Sequence, residues 1–334
     1  MAAARSLPGW PSADQPTLDK EYDVEFFGKA TNFPFMATRR VWYTLSILLM
    51  IASIGLFLAR GLNLTVDFTG GTTVEATFPG AADTEKVRTA LEANGFHEPT
   101  VQAFGTSRDI SARLAPEEGV SVDQVRERVN TALRSLDPQV EIKPLEFVGP
   151  QVGDELRNAA ILALSLTMLL VFAYIAVRFH TWRLSTGAIL ALLHDPILII
   201  GWFALSQTPF DLAVVAALLA VVGYSLNDTI IVFDRIRERF EANRRLDPRL
   251  ALDQSINQTL SRTIMTKVTT LIVVVALLVL GGTALRGFAE ALVIGIVACT
   301  YSSIYTSAAV ALDLGLKAEH VFPVVRSREV DSLP

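Results

Sequence analysis

Val41-Trp-Tyr-Thr-Leu-Ser-Ile-Leu-Leu-Met-Ile-Ala-Ser-Ile-Gly-Leu-Phe-Leu-Ala59 runs for nineteen residues without a charge. A helix rising 1.5 Å per residue needs about 20 apolar residues to cross a hydrocarbon layer of about 30 Å, so this stretch spans a membrane. Forty mostly polar residues precede it, ending in the pair Arg39-Arg40. A cleavable export signal has a shorter apolar core close to the N-terminus. The run is therefore expected to be an uncleaved anchor, with 1–40 as a cytoplasmic segment.

Five further apolar stretches follow, at 158–177, 185–205, 212–233, 263–280 and 288–316. Composition agrees: 51% of the 334 residues are hydrophobic and the mean hydropathy is +0.40. A soluble chain of this length rarely needs so much apolar surface. Lys and Arg set the orientation. Segments 1–40, 178–184, 234–262 and 317–334 carry 5, 2, 7 and 3 of them, whereas 206–211 carries none and 281–287 only Arg286. Under the positive-inside rule both termini and the basic loop 234–262 face the cytoplasm, with 317–334 as a cytoplasmic tail.

The segment 60–157 is too long and too mixed to be a loop. Its pattern reads strand (71–78), helix (82–94), strand (100–104), strand (109–114), helix (121–136) and strand (140–148). Val122, Val125, Val129, Ala132 and Leu133 share one face of the second helix, with Ser121 as its N-cap. The order β-α-β-β-α-β is the ferredoxin-like, split βαβ arrangement. The expected fold class is thus a polytopic α-helical membrane protein, six transmembrane helices with one α+β periplasmic domain between the first two.

A charge near the bilayer centre costs ~2.5–3.5 kcal/mol, so intramembrane ionisable groups default to function. One cluster is His194-Asp195, halfway along the third span, read as a polar pair bonding between helices or as a titrating one. The other is Gly223-Tyr-Ser-Leu-Asn-Asp-Thr229 in the fourth span, where Val221, Tyr224, Ser225, Asp228 and Val232 share a face. In the fifth span Arg262, Thr266, Thr269 and Thr270 form a polar stripe. A carboxylate at Asp228, beside the cation of Arg262 and the hydroxyls of Thr266 and Thr270, has the parts of a proton path; a static ion pair is the alternative. Lys267, just over one turn beyond Arg262, is expected to snorkel to the cytoplasmic surface. The single cysteine, Cys299, excludes an intramolecular disulfide and reads as packing. No spacing suggests a metal site or cofactor, a phosphate loop, a nucleophile–base set or a nucleic-acid tract, so neither an enzyme nor a nucleic-acid binder is expected.

Several stretches resemble one family. Gly223-Tyr-Ser-Leu-Asn-Asp-Thr-Ile-Ile-Val-Phe-Asp-Arg-Ile-Arg-Glu238 is similar to the hallmark of the SecF branch of the SecD/SecF family, within the RND superfamily. Val66-Asp-Phe-Thr-Gly-Gly-Thr72, Glu146-Phe-Val-Gly-Pro150, Ala191-Leu-Leu-His-Asp195, Gln258-Thr-Leu-Ser-Arg-Thr263, Arg286-Gly-Phe288 and Thr300-Tyr-Ser-Ser-Ile304 resemble its other characteristic segments in order. Leu314-Gly-Leu-Lys-Ala-Glu-His320 resembles the Gram-negative form. The resemblance implies a multi-pass protein of the cell inner membrane that pairs obligately with SecD. It also implies work beside the SecYEG channel with YajC, using the proton-motive force to promote late, SecA-independent steps of preprotein export. The substrates would be unfolded preproteins on the periplasmic side. Asp228 and Arg262 match the family's functional carboxylate and arginine, and Asn227 falls within the same hallmark. Two departures stand out: Lys267 where relatives carry a small hydroxyl residue, and Ala298-Cys299 in place of a small, often glycine-containing pair. A small-molecule exporter would normally need two large outer domains, and a passive scaffold would leave Asp228 and Arg262 as a structural pair.

Overall fold

The computed structural model describes residues 31–321 apart from positions 118, 180 and 283. Among the described residues six helices are long and apolar enough to cross a membrane: α1 (Arg39–Arg60), α5 (Pro150–Phe179), α6 (Trp182–Ser206), α7 (Leu212–Ala242), α8 (Pro248–Leu280) and the composite last span Arg286–Asp313. Half or more of the apolar windows of α6, α7 and the last span is buried, against 6–17% for α1, α5 and α8. The bundle therefore has an inner layer of three helices and an outer layer of three. Small residues let the inner helices approach closely. A Cβ at Gly187 of α6 would collide with the Ser307 carbonyl, and one at Gly295 with Val221.

Three spans reach further than hydropathy suggests. The stretch 234–262, expected as a basic loop, is mostly helical: α7 continues to Ala242, α8 starts at Pro248, and only 243–247 connect them. Averaging over a window hides the cause, which is periodicity. Ile236 and Phe240 on α7 and Ala251, Leu252, Ser255 and Ile256 on α8 are buried at helical spacing, leaving the arginines on the other face. Asp247 caps α8 by accepting from the Leu250 N–H, and Pro248 fits the first turn, where its missing N–H is not needed. Helix α5 likewise starts before the expected 158, at Pro150. The last span comprises α9 (Arg286–Tyr301), a π-helical segment (Ser302–Ser307) and α10 (Ala308–Asp313). The terminal tail is described only as far as α11 (Ala318–Val321), and most of 1–40 lies outside the described residues.

Between α1 and α5 a short helix α2 (Val66–Thr69) leads into strand β1 (Gly71–Thr77). Helix α3 (Thr84–Ala93), strands β2 (Thr100–Phe104) and β3 (Thr106–Leu114), and helix α4 (Val122–Leu136) follow. The expected last strand is split into β4 (Glu141–Ile142) and β5 (Glu146–Val148), pairing with opposite ends of β1. Pro144 lies in the break and has no N–H to give the ladder. The sheet is antiparallel in the order β2-β3-β1-β4. One face buries Val74, Ala76, Ile110 and Ala112 against Val87 and Leu91 of α3 and Val129 and Leu133 of α4. Ser121 closes α4 in a capping box with Gln124.

Candidate functional site

Every third or fourth residue of α7 turns inward: Val214, Ala217, Val221, Ser225, Asp228 and Val232 are buried along one stripe. The inward stripe of α8 is Ile256, Leu260, Thr263, Lys267 and Val274. The two stripes face each other and bring together one carboxylate and one ammonium. Lys267 Nζ lies 2.6 Å from Asp228 Oδ2, with the two side chains 5% and 4% exposed. Among the described residues no hydroxyl or backbone N–H shares Oδ2 with the ammonium. The same ammonium lies 2.7 Å from Cys299 Sγ on α9 and 4.2 Å from the centre of the Tyr224 ring. Carboxylate, thiol and π-face thus surround a cation removed from water, the environment in which charge pairs interact most strongly.

Lys267 therefore does not snorkel. Its stem faces α7 and α9 rather than the outside of the bundle, so no path along the helix surface leads its head outward. Arg262, expected as the cation beside Asp228, is not there. Five residues before Lys267, it sits about 140° away around the helix. It is exposed and belongs to no ion pair among the described residues. Thr266 and Thr269 share that outer face, while Thr270 lies at its edge. Asn227 is also exposed, about 100° from Asp228 on α7.

Tyr224 connects the two faces. Its ring lies against Lys267, and its hydroxyl is 2.7 Å from Thr270 Oγ1 and donates to the Thr266 carbonyl at 3.1 Å. The buried ion pair and the outward threonine stripe are thus joined through one phenol.

The second polar cluster is built differently. His194 and Asp195 are fully buried, with Nδ1 2.9 Å from Oδ1. Asp195 Oδ2 accepts from Ser225 on α7 at 2.6 Å and from Ser302, the first residue of the π-helical segment, at 3.0 Å. The chain continues from His194 Nε2 to Ser46 Oγ of α1 at 3.4 Å and on to the Tyr301 hydroxyl at 2.7 Å. Four spans meet at this network, and every carboxylate oxygen has partners. Hydropathy and periodicity mark His194, Asp195 and the face of Tyr224 and Ser225. They do not mark Ser46, Ser302 or Tyr301, and Cys299 reads from them as packing. Isolated hydroxyls in apolar helices carry no periodic signal, and the partner helix alone decides whether one is used. The two departures from the family pattern, Lys267 and Cys299, are in contact with each other.

Comparison with known proteins yields a consistent set. Residues 128–317 match the family "Protein export membrane protein SecD/SecF, C-terminal", and residues 55–78 match the "SecD/SecF GG Motif". Among curated relatives, protein translocase subunit SecF of Vibrio alginolyticus is 48% identical over 86% of this chain and 92% of its own length. The corresponding subunit of Haemophilus influenzae is 43% identical over 95% and 98%. Among solved structures, the translocon-associated membrane protein SecDF of Thermus thermophilus superposes with a TM-score of 0.77 at 37% identity. That match covers 85% of this chain and 39% of the SecDF chain. With a family match across more than half its length and relatives this similar end to end, the chain belongs to the SecD/SecF family of protein-export membrane proteins.

Proposed function

We propose that the chain is a proton-coupled accessory subunit of the Sec preprotein translocase, acting with a SecD-type partner on late, SecA-independent steps of export. The observation that carries this reading is the Asp228–Lys267 pair, buried between α7 and α8, where among the described residues the cation alone holds Oδ2. A carboxylate so held can accept a proton and release it again. The adjacent ammonium compensates its charged form, and Tyr224, Thr270 and Thr266 offer hydroxyl and carbonyl stations toward the outside of the bundle.

The outward stripe of Arg262, Thr266 and Thr269, with Asn227 beside it on α7, is polar surface at the depth of the apolar spans. Such a face favours a protein neighbour over lipid. A SecD-type subunit fits, since this chain matches about two fifths of a SecDF chain. Arg262 would then act across that interface. On this reading the protein lies in the cell inner membrane with both termini cytoplasmic. The α+β domain, of ferredoxin-like topology, stands in the periplasm, where it meets unfolded preproteins beside SecYEG and YajC.

The test is translocation into inverted membrane vesicles with and without a proton gradient. Asp228→Asn keeps the shape and an acceptor oxygen but cannot exchange a proton. It should insert and bind its partner, yet lose the gradient-stimulated part of export. Full stimulation in this variant would refute the proton-carrier role and leave a scaffold.

A further inference from the structure

The helix that carries Asp228 begins, sixteen residues earlier, at a joint with the α+β domain. Asp211 caps α7 in the usual way, its Oδ1 accepting from the Val214 N–H at 2.8 Å. A second carboxylate, from outside the helix, does the same: Asp67 on α2 accepts from the Leu212 N–H at 3.1 Å. Two of the N–H groups that a helix start leaves unpaired are therefore held by carboxylates, where the helix dipole also favours negative charge.

The segment around Asp67 is fastened on both sides. Toward the bundle, Leu64 and Phe210 form a parallel β-bridge, with the Thr65 N–H donating to the Phe210 carbonyl at 3.0 Å and the Phe210 N–H to the Asn63 carbonyl at 2.8 Å. Phe68 and Phe203 pack on the Phe210 ring with centroids 6.1 and 5.5 Å away. Toward the sheet, the Arg113 guanidinium on β3 clamps the Leu64 carbonyl and Asn63 Oδ1, and Asn63 Nδ2 reaches Gln102 of β2 at 3.1 Å. Next to this joint a crevice of about 540 Å³ separates the outer sheet face, with Glu75 and Gln102, from Asp211 and Arg286 on the bundle. Domain and bundle thus meet at this joint, and β5 (Glu146–Val148) also runs through Gly149 into α5. A Cβ at Gly153 of α5 would strike the Gly70 backbone, so α2 is wedged between the starts of α5 and α7.

We infer that Asp67 is a positioning residue: through the Arg113 clamp it ties the α+β domain to the start of α7 and so sets the axial position of Asp228. A helix is stiff over sixteen residues, about 24 Å, so a displacement imposed at Leu212 arrives at the Asp228–Lys267 pair. Conversely, a change of charge at that pair, if it shifts α7, moves the domain. This inference rests on the proton-coupled reading above for its consequence in export, but not for the mechanical link itself.

Cys299 provides the probe, because it is the single cysteine of the chain and lies against Lys267. Alkylation by N-ethylmaleimide would be followed in native membranes of the full chain with its partner, alongside gradient-stimulated export. Asp67→Ala removes the cap and should raise the Cys299 labelling rate about five-fold, the factor that ~1 kcal/mol of lost capping represents. It should also reduce gradient-stimulated export by a similar factor. Asp67→Asn retains an acceptor and should rescue both to within two-fold; Arg113→Met should reproduce the Ala phenotype and Arg113→Lys should partly restore it. Should Asp67→Ala fail to accumulate, Arg113→Met, which leaves the cap residues in place, is measured by the same labelling and export and decides in its stead. Labelling and export indistinguishable from the parent in the Ala and Met variants would overturn the joint. Loss of stimulation in Asp228→Asn alongside that result would leave the proton reading standing, so the two failures are distinguishable.

Discussion

Asp195 and Asp228 are both buried carboxylates in the same bundle, yet they are held in opposite ways. Asp195 meets a histidine ring nitrogen and two serine hydroxyls, one partner on Oδ1 and two on Oδ2. Asp228 Oδ2 meets one ammonium and, among the described residues, no other donor. A fully satisfied polar network rigidifies and fixes helix register, whereas a sparsely held charge retains the capacity to change state. Burial is common to both, so burial alone does not mark an exchange site. On the proposed reading, the number of partners does.

The comparison is most easily broken at Lys267. Lys267→Met leaves Asp228 buried without its cation, and breaking such a pair from one side costs ~3–5 kcal/mol. The thermal midpoint in detergent should fall steeply, and Asp228→Asn added to Lys267→Met should recover most of the loss. If Lys267→Met alone were near neutral, the ion pair would not exist in the membrane. Asp195→Asn sharpens the other side of the contrast. It removes a hydrogen-bonded charge worth ~1.5–3 kcal/mol, so stability should drop. Gradient-stimulated export per assembled molecule should nevertheless survive within about three-fold; its abolition would make Asp195 a second exchange site rather than a clamp.

Arg262→Ala should be smaller in the isolated chain, within about 0.5 kcal/mol, as for other exposed substitutions. Its effect should emerge instead as weakened co-purification with the SecD-type partner. A large loss of stability without that partner would place Arg262 inside the bundle after all.

The smallest effect lies in the α+β domain, at the start of β3. Hydrogen bonds from Thr106 and then Thr77 hold the Asp109 carboxyl below its ordinary range. A depressed carboxylate adds stability above its unfolded value of ~3.9, and that contribution disappears as pH falls through the lower folded value. Asp109→Asn should therefore lessen stability slightly at neutral pH and flatten its decline below about pH 4. An acid profile identical to the parent's would show that these hydrogen bonds contribute nothing.

How far these contrasts can be read from the residues depends on the kind of signal. The six apolar stretches, the α+β interruption after the first span, and the isolation of Asp228, His194 and Asp195 need nothing more than hydropathy, periodicity and the cost of charge in hydrocarbon. The stretch 234–262 passes for a loop because its arginines mask a buried helical stripe. Which cation answers Asp228 does not follow in the same way. Arg262 and Lys267 both fall within reach of Asp228 in sequence terms, and the choice between them is a rotation of about 140° about the α8 axis. That rotation is set by which side of α8 packs on α7 and α9, a property of three helices together. The same holds for Asp67, an acidic residue in a four-residue helix until the chain folds back and places it over the first turn of α7. Local chemistry lies within each segment; the pairing of one segment's charge with another's follows from long-range packing, which neither segment encodes alone.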